Sequence, residues 1–134
     1  MTCYAFDDLE TWRADYPRDV LIDQLDKLSQ KWKTGLALIE GMPQCSLKQA
    51  ALGGYALFRS SYLQARFINA RDIGDKKTMA DTIPEEENLA LLMYELMQQN
   101  SLFGYEAANH YYFTKSMLAE KVLNCVYLKE KLAR

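Results

Sequence analysis

Leu21, Leu25, Leu28, Trp32, Leu36 and Ile39 recur at steps of three and four residues, and this spacing commits the chain to helices packed on helices. An α-helix turns about 100° per residue, so side chains three or four apart share one face, whereas a strand needs alternation at every second position. No segment of the chain offers that alternation. Pro17 precedes the first stripe and Gly41-Met42-Pro43 follows it, which predicts a helix over residues 17–40.

Ser46 can cap a second helix by accepting from otherwise unpaired amide groups, and the pattern carries that helix over residues 47–71. Leu47, Ala51, Gly54, Phe58, Ser61, Ala65 and Ile68 form one stripe; Leu52, Tyr55, Tyr62, Leu63 and Phe67 form another. A helix apolar on most of its circumference is either central or covered by something additional. The second stripe is therefore the candidate interface. Gly53-Gly54 costs about 1 kcal/mol per glycine in helix propensity, an expense that close packing would justify.

Residues 72–81, with Gly74 and the pair Lys76-Lys77, read as the one long loop. Thr82-Ile83-Pro84-Glu85 then combines a capping box with proline near a first helical position, and Glu85, Glu86 and Glu87 suit the positive end of a helix dipole. This predicts a third helix over residues 84–99. Residues 100–104 break it, and a fourth helix is expected over residues 105–132, with Tyr111, Leu118, Val122, Cys125 and Leu132 facing inward. Short, long and short connections favour an all-α, up-down-up-down four-helix bundle over residues 17–134. Residues 1–16, with Tyr4, Phe6, Leu9, Trp12 and Tyr16, form a short N-terminal docking segment.

A chain of 134 residues with 49% hydrophobic content supports one domain with a genuine core. The formal charge of -2 and a pI near 5.4, without a basic run, argue against a nucleic-acid partner. No stretch reaches the roughly 18 apolar residues of a membrane span, and Asp7, Asp8 and Glu10 occupy the place where a signal peptide would be basic and then apolar. A cytoplasmic location is expected. Cys3, Cys45 and Cys125 form no CxxC pair and leave one over if two join, which fits thiols in a reducing compartment.

Polar chemistry concentrates at residues 104–113, which hold the only histidine among several aromatics. Glu106 and His110 lie four apart and can share a face. Tyr105, Glu106, Asn109, His110 and Tyr111 are the candidate ligand-binding residues, since aromatic faces stack on sugar rings or bases while Glu, Asn and His supply directed hydrogen bonds. One glutamate and one histidine are too few ligands to indicate a metal. No nucleophile beside a strained turn accompanies His110, so no catalytic residue, metal or cofactor is assigned. Charge is also partitioned: the second helix carries Lys48, Arg59, Arg66 and Arg71, the third Glu85, Glu86, Glu87 and Glu95. Antiparallel packing of these two predicts pairing of Arg71 with the Glu85 to Glu87 end and of Arg59 with Glu95.

Ser60-Ser61-Tyr62-Leu63-Gln64-Ala65-Arg66-Phe67 through Arg71-Asp72, and Gly104-Tyr105-Glu106-Ala107-Ala108-Asn109-His110-Tyr111-Tyr112 through Glu120-Lys121-Val122-Leu123-Asn124-Cys125, resemble the helical C-terminal portion of larger bacterial proteins of glycoside-hydrolase type. The resemblance spans nearly the whole chain from Tyr16 onward. It transfers no catalytic acid or nucleophile, because the catalytic domain of such proteins lies upstream of the matching portion. It implies a non-catalytic accessory or interaction module whose partner is another protein or an adjoining carbohydrate-processing domain. A homodimer would equally cover the surplus apolar face, and a small-ligand binder using residues 105–111, with a carbohydrate as one ligand class, is the alternative; an enzyme of unassigned class ranks third.

Overall fold

The computed structural model describes residues 9–100, 103 and 114–134, the side chain of Trp12 excepted. Among these residues there is no strand. Five helices follow one another: α1 (Leu9–Trp12), α2 (Arg18–Leu36), α3 (Ser46–Ile73), α4 (Lys76–Gln99) and α5 (Lys115–Leu132), with a 3₁₀ turn at Ala37–Ile39 after α2. Arg18 bonds Asp72 across α2 and α3, while nearer the other end Trp32 bonds Ala51, so these helices are antiparallel. Arg59 on α3 bonds Glu85 on α4 while Gln49 bonds Gln99, and Lys115 on α5 bonds Gln98 while Lys129 bonds Glu87. The four long helices thus run up, down, up and down.

Packing follows chain order. α3 is flanked by α2 and α4, and α4 by α3 and α5. The core lies along these two central helices, where Ala56, Tyr62, Leu63, Leu89, Ala90, Met93 and Met97 meet Leu118 from α5. α2 and α5 are the edges of the row. Leu9 of α1 is fully buried against Ala65 and Ile68, with Leu21, Ile22 and Leu25 around it, so this part of the N-terminal segment docks between α2 and α3. Arg18 fastens it by bonding Glu10 as well as Asp72.

The expected long loop over residues 72–81 is a two-residue turn. Gly74 takes the left-handed conformation, φ 75°, that glycine adopts without penalty. Its N–H bonds the Arg71 carbonyl at 3.1 Å and the Asp75 N–H bonds the Ala70 carbonyl at 2.8 Å, the paired closure of a Schellman motif. Asp75 at once caps α4 by accepting from the Thr78 N–H at 3.0 Å. Pro84 therefore lies inside α4 instead of opening it. Its missing N–H leaves the Ala80 carbonyl without a helical donor, but both residues are exposed, so water can reach that oxygen.

The earlier start of α4 moves the charge register. Arg59 faces Glu85, ten residues before the expected Glu95, and Arg71 pairs with its neighbour Asp72. Glu85, Glu86 and Glu87 are not at a helix end; three consecutive positions on a helix fan apart, and each is used differently. Glu85 meets Arg59 of α3, Glu86 meets Ser60 of α3 and Lys121 of α5, and Glu87 meets Lys129 of α5. The fourth expected helix is also shorter than residues 105–132. Thr114 is extended (φ -98°, ψ 156°) and accepts from the Met117 N–H, so α5 begins at Lys115.

Candidate interaction groove

Tyr105, Glu106, Asn109, His110 and Tyr111 lie outside the described residues. The flanks of that stretch are defined. Asn100 bonds Gln49 at 3.3 Å, and the Phe103 ring packs on the core directly over Gly53. A Cβ at Gly53 would stand 2.1 Å from that ring, and one at Gly54 would stand 2.7 Å from the Trp32 ring. The glycine pair thus admits two aromatic rings from different sides of α3, which is the close packing its helix-propensity cost required.

The second stripe of α3 divides. Leu63 is 1% exposed, and it and Tyr62 are enclosed by the chain's own α4 and α5 residues. Neither can meet a partner while the bundle is folded. Leu89, Ala90 and Met93 of α4 and Leu118 of α5 share their cluster. Tyr55, which packs on the same core, and Leu52 and Phe67 are half-buried.

An open apolar groove instead runs along the outer side of α2, with a volume of about 410 Å³. α2 supplies Leu28, Lys31, Trp32, Gly35 and Leu36; the 3₁₀ turn supplies Ile39; α3 supplies Leu47 and Ala51. Leu28, Trp32 and Leu36 belong to the stripe that the sequence assigns wholly to the inner face. They stay partly open because Ala51 and Gly54 of α3 are small, Leu47 is itself mostly exposed, and no further described helix covers the flank of α2. Leu47, on the rim, is 62% exposed.

Trp32 is held in place from three sides. Its indole N–H donates to the Ala51 carbonyl at 2.8 Å, its ring stands edge-on to Phe58 at 4.9 Å, and its six-membered ring lies over Gly54. Lys48 secures the corner, donating to the Glu40 and Met42 carbonyls at 2.7 and 2.9 Å after the 3₁₀ turn. A floor already fixed by the fold loses little freedom when a partner lands on it. Lys31 is the one charged residue of the lining and has no ion pair among the described residues. Among the described residues the groove therefore combines apolar surface with one cation.

The polar groups inside the bundle are structural in their geometry. Arg59, 13% exposed, joins three helices: Nε and Nη2 bond the two Glu85 oxygens at 2.8 Å, Nη1 bonds Asp26 of α2 at 2.7 Å, and the guanidinium lies 4.6 Å from the centre of the Tyr62 ring. The Arg59 hydrogen bond holds the Glu85 carboxyl below its ordinary range, and Arg59 is raised in turn. Glu86 Oε1 accepts from Ser60 at 2.7 Å, from Gln64 at 3.3 Å and from Lys121 at 2.9 Å, in a junction that leaves Ser60 no exposure. Burial pushes the Cys125 thiol up to about 11, which removes it as a thiolate nucleophile near neutral pH. Among the described residues no three His, Cys, Asp or Glu side chains gather as a metal would require, and no helix is long and apolar enough to cross a membrane.

Comparison with models of known protein families, with curated proteins and with solved structures gave no match.

Proposed function

We propose that the protein is a non-catalytic interaction module that receives the apolar face of an amphipathic helix from a partner protein in the groove between α2 and α3. The observation that carries this reading is the pinned Trp32 at the floor of an otherwise aliphatic, open groove. Helix-in-groove recognition uses apolar anchors at three- and four-residue spacing, and the groove follows α2 from Leu28 to Ile39 with Leu47 and Ala51 of α3 beside it. Lys31 at its edge favours a partner helix with an acidic residue beside those anchors. The resemblance to accessory portions of glycoside-hydrolase proteins makes a carbohydrate-processing protein the partner class to test first. A cytoplasmic, reducing setting belongs to the same proposal, supported by the free thiols Cys45 and Cys125.

A photo-crosslinking residue at Leu47 tests this in cells. The expected result is a discrete adduct whose crosslink maps to an amphipathic helix of the partner. Leu28→Glu should abolish the adduct, and Lys31→Glu should weaken it at least fivefold while Lys31→Arg preserves it. An adduct insensitive to Leu28→Glu, or one formed equally from the exposed Lys76 at the start of α4, would overturn the assignment.

A further inference from the structure

At the opposite edge of the helix row, a second apolar face is covered by none of the described residues. α5 packs on α4 through Leu118, Val122 and Cys125. On its outward side Ala119, Leu123, Val126 and Tyr127 form a stripe, with Leu123 68% and Tyr127 58% exposed. We propose that this stripe is the interface of a symmetric homodimer in which α5 packs antiparallel against α5 of a second copy.

The charges beside the stripe select that occupant. Glu120 and Lys131 are eleven residues apart, about three helical turns, so they lie on the same flank of α5. When two identical helices pack antiparallel about a twofold axis, like flanks face each other. With the axis passing between Cys125 and Val126, Glu120 of each copy meets Lys131 of the other, and two ion pairs close one side of the seam. The same register puts Leu123 of each helix beside Tyr127 of the other. Glu130 comes opposite Ala119 near the end of the seam, where the small side chain leaves its carboxylate room for water. A parallel pairing would instead carry the two copies of this flank to opposite sides of the seam, where Glu120 and Lys131 do not meet. Neither residue has an ion pair within the chain among the described residues, whereas Lys121 and Lys129 on the inner side are engaged by Glu86 and Glu87. A closed twofold contact of this kind uses one patch on both subunits and ends assembly at two.

Sedimentation equilibrium on the full chain is the test. The expected mass is twice the 15.5 kDa of the monomer, and Leu123→Glu should give the monomer with unchanged helicity, because Leu123, 68% exposed, contributes little to the core; its thermal midpoint should no longer rise with protein concentration as that of the dimer does. Glu120→Lys and Lys131→Glu should each raise the dimer dissociation constant about tenfold, and the double exchange should restore it. A wild-type mass of one chain at several hundred micromolar overturns the proposal, as does a dimer whose affinity the double exchange fails to restore. The groove on α2 is not involved, so a monomeric result leaves the crosslinking test at Leu47 unaffected.

Discussion

Arg59 is the residue on which the register of three helices depends. Its guanidinium has five N–H donors in a rigid fork; two close the bidentate pair with Glu85 and a third reaches Asp26. Arg59→Met keeps the stem against Tyr62 and removes the charge, leaving two carboxylates facing each other without a cation. Losing a partner from a buried pair costs about 3–5 kcal/mol; with both carboxylates well exposed here, we expect about 2 kcal/mol at pH 7. The pH dependence has a defined sign. The Glu85 carboxyl lies below its ordinary 4.5 in the folded chain, so the stabilisation is complete above that value and is lost as pH falls through the lowered one. Urea unfolding should therefore show the largest gap between wild type and variant at pH 7 and a smaller one at pH 3; a gap that widens in acid would exclude the pair as its source. Arg59 and Glu85 were legible as members of an ion-pair set from the partition of basic and acidic residues between the second and third helices, whereas Asp26 of α2 was not. Their partner choice was not legible either, because it depends on where α4 begins.

At the scale of elements, that beginning is the main lesson of the chain. Gly74-Asp75 carries two signals, a left-handed stop and a carboxylate cap, in adjacent residues, and local reading spreads them into a loop. Pro84 reinforces the misreading, because proline belongs at a first helical position far more often than in a helix interior. Packing overrides this preference: Thr82 and Ile83, immediately before the proline, are buried. Pro84→Ala restores a backbone donor and a favourable propensity, so it should stabilise the chain by up to about 3 kcal/mol in thermal or urea unfolding. A neutral or destabilising effect would instead support a helix starting at residue 84. The stripes of α2 and α3 are continuous and followed more directly from spacing, and Pro17 stands immediately before α2; Ser46, however, is the first residue of α3 and not its cap, because Cys45 occupies the N-cap position and no side chain there makes a capping bond.

For the whole molecule, packing in chain order produces two central helices and two edge helices, and each edge carries apolar surface that the described residues leave open. The all-α class and the four long helices can be read from periodicity; connection length misleads, since the expected long loop between α3 and α4 is a two-residue turn. An open groove cannot be read from periodicity, because Leu28 and Trp32 have the same spacing as core residues and are distinguished only by what stands opposite them. The small residues Ala51, Gly53 and Gly54 were the available sign that something large would lie on this part of α3. The polar-aromatic stretch at 104–113, most conspicuous in the sequence, lies outside the described residues, and the account of function rests on the groove instead. Its central claim is that this groove is open in the isolated protein. Carbene footprinting of the purified chain measures that residue by residue: the account predicts labelling of Leu28, Trp32 and Leu47 many times that of the buried Leu63, whereas protection of these three to the level of Leu63 would contradict it.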